Sequence, residues 1–410
     1  MSHLGGQVRP TLTNRIESLD VLRGVAILGI LLANILSFGY VSDAFKPWTP
    51  YIQSHTEAIV ESVRVMFVSG KFRGILAILF GVGLYLQFTK RKSIPGAWPS
   101  TYVRRTAILL MIGFFHAVFI WQGDILFIYG ATALFAVLFV NLKDHVLLWS
   151  AVALISTAFL CGGSIDAIMA LDPKAGNDMT SLPFVGPEDE IFAAGSYLEQ
   201  LQFRFVYWIM TAVSLPFYIP GVLGLMLIGI WLGRNGVLAE PDRRAETLRS
   251  MSLIGLAGLI LNSLPVIAAS TGSVFEPNYI VDFGLSAPLA VGYIALITWL
   301  TTKKWLRPLN WMLGRIGRFA LSNYLLQSVI CTSFFYSWGG GYFEKLAFFE
   351  VLLVVPAVWL ANVFFTLVWG LKFKMGPVEW LWRRISTGQP LAITHAAISE
   401  AKPVPPPRML

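Results

Sequence analysis

The chain has 410 residues, of which 56% are hydrophobic and only 13% charged, with a mean hydropathy of +0.66. Soluble domains carry roughly a quarter charged residues, so this composition excludes a soluble globular protein. The formal net charge of +8 does not point to nucleic acid, because the basic residues gather at the ends of apolar runs, where they set membrane orientation.

Apolar runs of about 20 residues predict an all-α, polytopic transmembrane helix bundle of about ten spans. They fall at 20–40, 67–88, 104–121, 123–141, 146–165, 203–233, 250–270, 283–301, 315–337 and 346–371. The first run, Val21 to Tyr40, exceeds the apolar core of a signal peptide, and no small-residue cleavage site follows it, so it reads as a retained helix. Pro216 and Pro220 in the sixth span predict a kink or an interfacial start. The ninth span is the least apolar and holds Ser322, Asn323, Gln327 and Ser328.

Loop charge supports this register. Arg9 and Arg15 precede the first span, Lys90 to Arg105 separate the second from the third, and Lys143 follows the fourth. Arg234 to Arg249, Lys303 to Arg318 and Lys372 to Arg384 follow the sixth, eighth and tenth. All these clusters fall on one side of a ten-span chain, which places both termini in the cytoplasm. The expected organisation is a cytoplasmic segment 1–19, a bundle 20–384 with external loops near 41–66 and 166–202, and a disordered cytoplasmic tail 385–410. The loop at 41–66 leads into an interfacial amphipathic helix, and the loop at 166–202 is acidic. No internal repeat is visible. Cys161 and Cys331 lie in apolar stretches and offer neither a disulfide framework nor a metal cluster; no metal is expected.

Ionisable residues inside a membrane face a bundle interior or a wet cavity, so each one is a candidate. Asp20 and Arg23 form an i,i+3 pair in the first helix; Arg23 is either a topology-setting charge or a phosphate contact. Asn34, near the outer end of that helix, is either a helix–helix hydrogen bond or a ligand. Lys71 and Arg73 either snorkel to the outer interface or line an anionic cavity. Gly81 and Gly83 follow no strand, so they read as close-packing positions, not as a dinucleotide loop.

His116 and Asp124 are the sharpest pair. A turn near Gln122 folds the fourth span back on the third, leaving roughly 6 Å of axial offset at about 1.5 Å per residue. An aspartate that accepts one ring N–H fixes the tautomer and leaves the other nitrogen as a base; the alternative is a structural tie within the hairpin. In the ninth span, Ala320, Tyr324, Gln327 and Ser328 share a helix face, as interhelical glue or as a substrate-lining surface. Gly376 to Arg383 reads as an aromatic and basic interfacial anchor.

These segments carry a resemblance. Leu19-Asp20-Val21-Leu22-Arg23-Gly24, the stretch Lys71 to Gly83, His116 with Gly123-Asp124-Ile125-Leu126, Gly317 to Gln327, and Gly376-Pro377-Val378-Glu379-Trp380-Leu381-Trp382-Arg383 resemble the bacterial YeiB family, domain of unknown function 418. The first helix, from Asp20 and Arg23-Gly24 to Asn34, is more distantly similar to the transmembrane acyltransferase superfamily, which includes heparan glucosaminide N-acetyltransferase. That similarity implies acyl-CoA bound from the cytosol as co-substrate, an acceptor reached from the other face and an intramembrane His as base. The acetyltransferase carries its His shortly after the Asn, where this chain has only His55 at a different spacing; His116 takes that role here by inference.

The leading expectation is therefore an acyltransferase-like, multi-pass protein of the bacterial inner membrane. His116 and Asp124 are the catalytic candidates, and Asn34, Arg23, Lys71, Arg73, Tyr324 and Gln327 the substrate-binding candidates. No cofactor is expected to be bound. The expected partners are membrane lipids, acyl-CoA, a glycan, lipid or small-molecule acceptor, and a second copy of the chain, with no nucleic acid. A proton-coupled transporter or lipid-handling protein using the same pair is the alternative, and a scaffold held together by these polar residues is a third reading.

Overall fold

In hydrocarbon every backbone N–H and C=O must be paired within the protein, so long apolar stretches fold as helices. The computed structural model describes residues 16–41, 51–171, 186–270, 284–388 and 393–394, and it is all-α. An isolated bridge pairs Phe373 with Thr394. In chain order the helices are α1 Glu17–Gly39, α2 His55–Phe67, α3 Lys71–Arg91, α4 Ser100–Phe119, α5 Leu126–Ala136, α6 Asp144–Leu171, α7 Glu188–Ala193, α8 Tyr197–Val213, α9 Leu215–Arg234, α10 Ala245–Ser270, α11 Ser286–Thr301, α12 Arg307–Arg318, α13 Ala320–Phe335, α14 Phe348–Lys372 and α15 Pro377–Thr387. Among the described residues, seven helical stretches are long and apolar enough to cross a membrane, and α5 and α11 belong to shorter apolar ones.

Two expected spans are divided. The run 203–233 breaks at Ser214, which ends α8, and α9 begins with Pro216 in its first turn and carries Pro220 inside. A proline lacks the N–H that would continue the ladder. The run 315–337 breaks at Phe319 (φ −109°, ψ 30°). The residues before the break form the separate amphipathic helix α12, whose Leu309 and Trp311 are exposed, as is Trp305 in the turn just before it. The amphipathic helix expected of the 41–66 region is α2, which occupies its second half and is capped by a reciprocal Ser54–Glu57 box. It is less peripheral than expected, because Glu61 and Arg64 are buried as an ion pair at 2.6 Å. Most of the proposed tail and much of the 166–202 loop lie outside the described residues.

Helix axes close up where side chains vanish. A Cβ on Gly24 would fall on the carbonyl oxygen of Leu313, and one on Gly317 on that of Asp20, so α1 and α12 touch backbone to backbone. Gly81 on α3 and Gly229 on α9 meet in the same way. Gly83 does not fit the packing expectation, since nothing lies within 4 Å of a Cβ built there. Instead Gly83 borders a cavity.

The α1 N-terminus, the ends of α3 and α9, the start of α4, α12 and α15 share one end of the bundle, called here the basic end. Asn34, α2, the start of α3 and the α4–α5 turn lie at the far end. At the basic end α15 is more than an anchor. Its Glu379 is buried and accepts hydrogen bonds from the backbone N–H groups of Leu321 at 2.7 Å and Ser322 at 3.1 Å, and from the Ser322 hydroxyl. It thereby satisfies otherwise orphaned donors at the start of α13. Burial pushes its carboxyl pKa up, against the lowering effect of these hydrogen bonds.

Candidate functional site

The α4–α5 hairpin turns through residues 120–125 without helix. His116, in the last turn of α4, is 1% exposed. Its Nδ1 lies 2.8 Å from Asp124 Oδ1. The other carboxylate oxygen of Asp124 accepts the backbone N–H of Phe127 at 2.7 Å and so caps the start of α5. The residue therefore belongs to the turn and not to a helix, and Gly113 on α4 makes room for it: a Cβ there would stand 2.8 Å from Asp124 Oδ2. With Nδ1–H donating to Asp124, Nε2 carries the ring lone pair. It is buried and has no hydrogen-bond partner among the described residues.

The turn is also held from outside. Arg204 on α8, fully buried, donates from Nε to Val118 O at 2.9 Å, and the Tyr197 hydroxyl donates to Phe119 O at 2.7 Å. Both occupy terminal carbonyls of α4, where a cation and a donor suit the helix end.

Two cavities approach this hairpin from opposite ends. The far-end cavity, about 230 Å³, is lined by Asn34, Arg64, Arg73, Trp121, Gln122 and Tyr129 among others. The basic-end cavity, about 220 Å³, has Arg23, Arg105, Arg318 and Arg383 around it and reaches Tyr324. Ile125 borders both. At that seam the Ile125 N–H points to the Tyr324 hydroxyl oxygen at 3.4 Å. The His116 ring lies 5.0 Å from the Tyr324 ring and 6.5 Å from the Trp121 ring. It thus stands between a residue of one cavity and a residue of the other.

Of the sequence candidates, the structure brings His116, Asp124 and Tyr324 together. Arg23 borders the basic-end cavity, with Asp20 at 3.5 Å, while Asn34 and Arg73 border the far-end one. Lys71 does not snorkel: it is fully buried, and its Nζ donates to Val65 O at 2.7 Å. Gln327 donates to Ile27 O at 3.3 Å, a helix–helix tie; neither it nor Lys71 borders either cavity. Arg105, Gln87, Arg383, Arg64 and Trp121 were not singled out. Arg105 and Arg383 sit in basic clusters that topology already explains, and Gln87 carries no charge to mark it. The i,i+3 spacing of Glu61 and Arg64 was the one readable signal for Arg64.

Fold and site together describe a helical bundle of membrane-crossing type with a buried His–Asp pair between two opposed cavities. Residues 232–389 match the family model described as a protein of unknown function, DUF418. The chain is 30% identical to the uncharacterized protein YeiB of Escherichia coli over 388 residues, covering 90% of this chain and 95% of that one. It is 29% identical to the uncharacterized protein YxaH of Bacillus subtilis over 407 residues, covering 94% and 98%. The chain belongs to the YeiB-like DUF418 family. No solved structure matches it.

Proposed function

We propose that this protein transfers an acyl group from an acyl-CoA entering at the basic end to a hydroxyl or amine acceptor entering at the far end. One observation supports the reading: a histidine oriented by a buried aspartate, with its second ring nitrogen unpartnered, lies just behind the walls of two opposed cavities, between Tyr324 of one and Trp121 of the other. In this mechanism the acceptor O–H or N–H gives its proton to His116 Nε2 while the acceptor atom bonds to the thioester carbonyl carbon. Tyr324, which accepts from Ile125 and so keeps its own O–H to donate, stabilises the oxyanion together with Asn34. Collapse breaks the C–S bond, and the thiolate takes the proton back from His116, so CoA leaves as the free thiol. Asp124 keeps its charge throughout and holds the tautomer.

Four arginines at the basic end suit the phosphates of the donor. In the same reading that end faces the cytoplasm, and α1, α3, α4, α5, α6, α9, α10, α11, α13 and α14 are the ten crossings of a bacterial inner-membrane protein. The two termini then share the cytoplasmic side, and a fluorescent protein fused to the C-terminus lights up in cells. Calorimetry with acetyl-CoA on the detergent-purified protein tests the donor half. Saturable binding that weakens in Arg23→Ala and Arg383→Ala supports it, and a folded protein that does not bind acetyl-CoA removes it.

A further inference from the structure

Another opening lies at the basic end, between α10 and α11 and away from His116. A Cβ on Gly255 or on Gly292 would fall on the Cα of the other, so the two helices touch backbone to backbone there. Towards the basic end side chains return, and the helices bound a cleft of about 440 Å³. It follows α10 from Ser252, one turn beyond the glycine, to Ala245, roughly 10 Å at the helical rise. Among the described residues it shares no lining side chain with either cavity beside the His–Asp pair.

The walls change character along that length. The inner part is apolar: Leu248 and Ala295 are buried, Leu296 is half-exposed, and the Ser252 hydroxyl is already spent on Leu248 O at 2.9 Å. The mouth sets Arg249 and Lys303 against one carboxylate among the described residues, Asp242. The Lys303 ammonium sits 4.1 Å from the centre of the Trp299 ring, and Trp299 is half-exposed, as an aromatic side chain at headgroup depth is. Leu253, Leu256 and Ile260 of α10 are also exposed, so this helix stands at the lipid-facing edge of the bundle.

The occupant of the cleft must be apolar along its inner length and anionic at its outer end. A free phosphate suits the mouth but leaves the inner wall uncovered. A hydrocarbon covers the wall but offers nothing to Arg249 and Lys303. A glycerophospholipid supplies both, in the order in which the cleft presents them. We propose that the cleft between α10 and α11 binds an anionic glycerophospholipid, with its phosphate at Arg249 and Lys303 and one acyl chain along Leu248 and Leu296. Two cations against one carboxylate favour a net-negative headgroup over a zwitterionic one, and Asp242 can accept a headgroup hydroxyl such as those of phosphatidylglycerol. The site is independent of the acyl-transfer reading.

The test is native mass spectrometry of the full-length, delipidated protein, titrated with phosphatidylglycerol and, separately, with phosphatidylethanolamine. The wild type is expected to hold one phosphatidylglycerol in preference to phosphatidylethanolamine. Arg249→Gln combined with Lys303→Gln should weaken phosphatidylglycerol binding by about fivefold for each charge removed. Leu296→Trp fills the inner cleft at unchanged charge and should weaken both lipids. Lys90→Gln combined with Lys92→Gln removes two exposed charges elsewhere at the basic end and should bind as the wild type does. Unchanged affinity in the Arg249 and Lys303 variant, or equal losses in the two double variants, would overturn the site in favour of diffuse surface charge. Phosphatidylethanolamine bound as tightly as phosphatidylglycerol would contradict the anionic headgroup. A dimer that Leu296→Trp disperses, with no lipid bound, would assign the cleft to a second copy of the chain instead.

Discussion

Asp124 divides its carboxylate between two tasks: Oδ1 holds His116 Nδ1 at 2.8 Å, and Oδ2 caps α5 through the Phe127 N–H at 2.7 Å. The cap makes the position of the carboxylate a property of the backbone, so the ring is oriented by the turn itself. The same sharing ties any chemistry at His116 to the stability of the hairpin.

Substitutions at Asp124 separate these tasks. Asp124→Asn keeps an oxygen for the cap and loses the charge that fixes the tautomer, whereas Asp124→Ala loses both. Thermal unfolding should show Asp124→Ala less stable by about 1 kcal/mol for the cap, plus about 1–3 kcal/mol for the buried ring donor left unpaired. Asp124→Asn should stay close to wild type. Both should lower acyl transfer by about 10²–10⁴-fold. Equal stability losses in the two variants would show that the cap carries no weight.

Glycine substitutions should divide by location. Gly317→Ala forces a methyl group onto the Asp20 carbonyl and should destabilise the α1–α12 crossing by about 1–3 kcal/mol. Gly83→Ala meets nothing within 4 Å, so it should leave the melting temperature unchanged while narrowing the basic-end cavity and weakening CoA binding. Equal melting temperatures for the two variants would contradict the backbone contact at Gly317.

The Glu379 carboxyl has its pKa raised by burial, from an ordinary value of 4.5. A carboxyl raised in the fold contributes its stabilisation below the ordinary value and loses it as pH rises through the raised one. Glu379→Gln stays neutral at every pH, so its melting temperature relative to wild type should climb as pH increases above about 4.5. A difference that does not vary with pH would show that Glu379 is not desolvated as described.

The His–Asp hairpin was legible because eight residues around one turn leave the two side chains few places to go. The alternating basic clusters were legible because topology writes them into loops. The polar face of the ninth span was read less well. Tyr324 reaches the seam, but Gln327 spends its amide on Ile27 O, and periodicity alone does not tell a wall from a joint. Arg105 and Gln87 line the basic-end cavity beside neighbours brought in from distant helices, and spacing along one helix does not reveal such a wall. The break at Phe319 was missed because an amphipathic helix running into an apolar one leaves no proline to mark the join.

The central claim is that His116 takes a proton from an acceptor attacking a thioester. Its most direct test is the release of free CoA thiol from acetyl-CoA by the reconstituted protein, with and without a cell-envelope extract as acceptor source. The account predicts thiol release that depends on the extract and falls about 10²–10⁴-fold in His116→Ala, while that variant still binds CoA. Release of equal rate in wild type and His116→Ala, or none from a wild type that binds the donor, would contradict it.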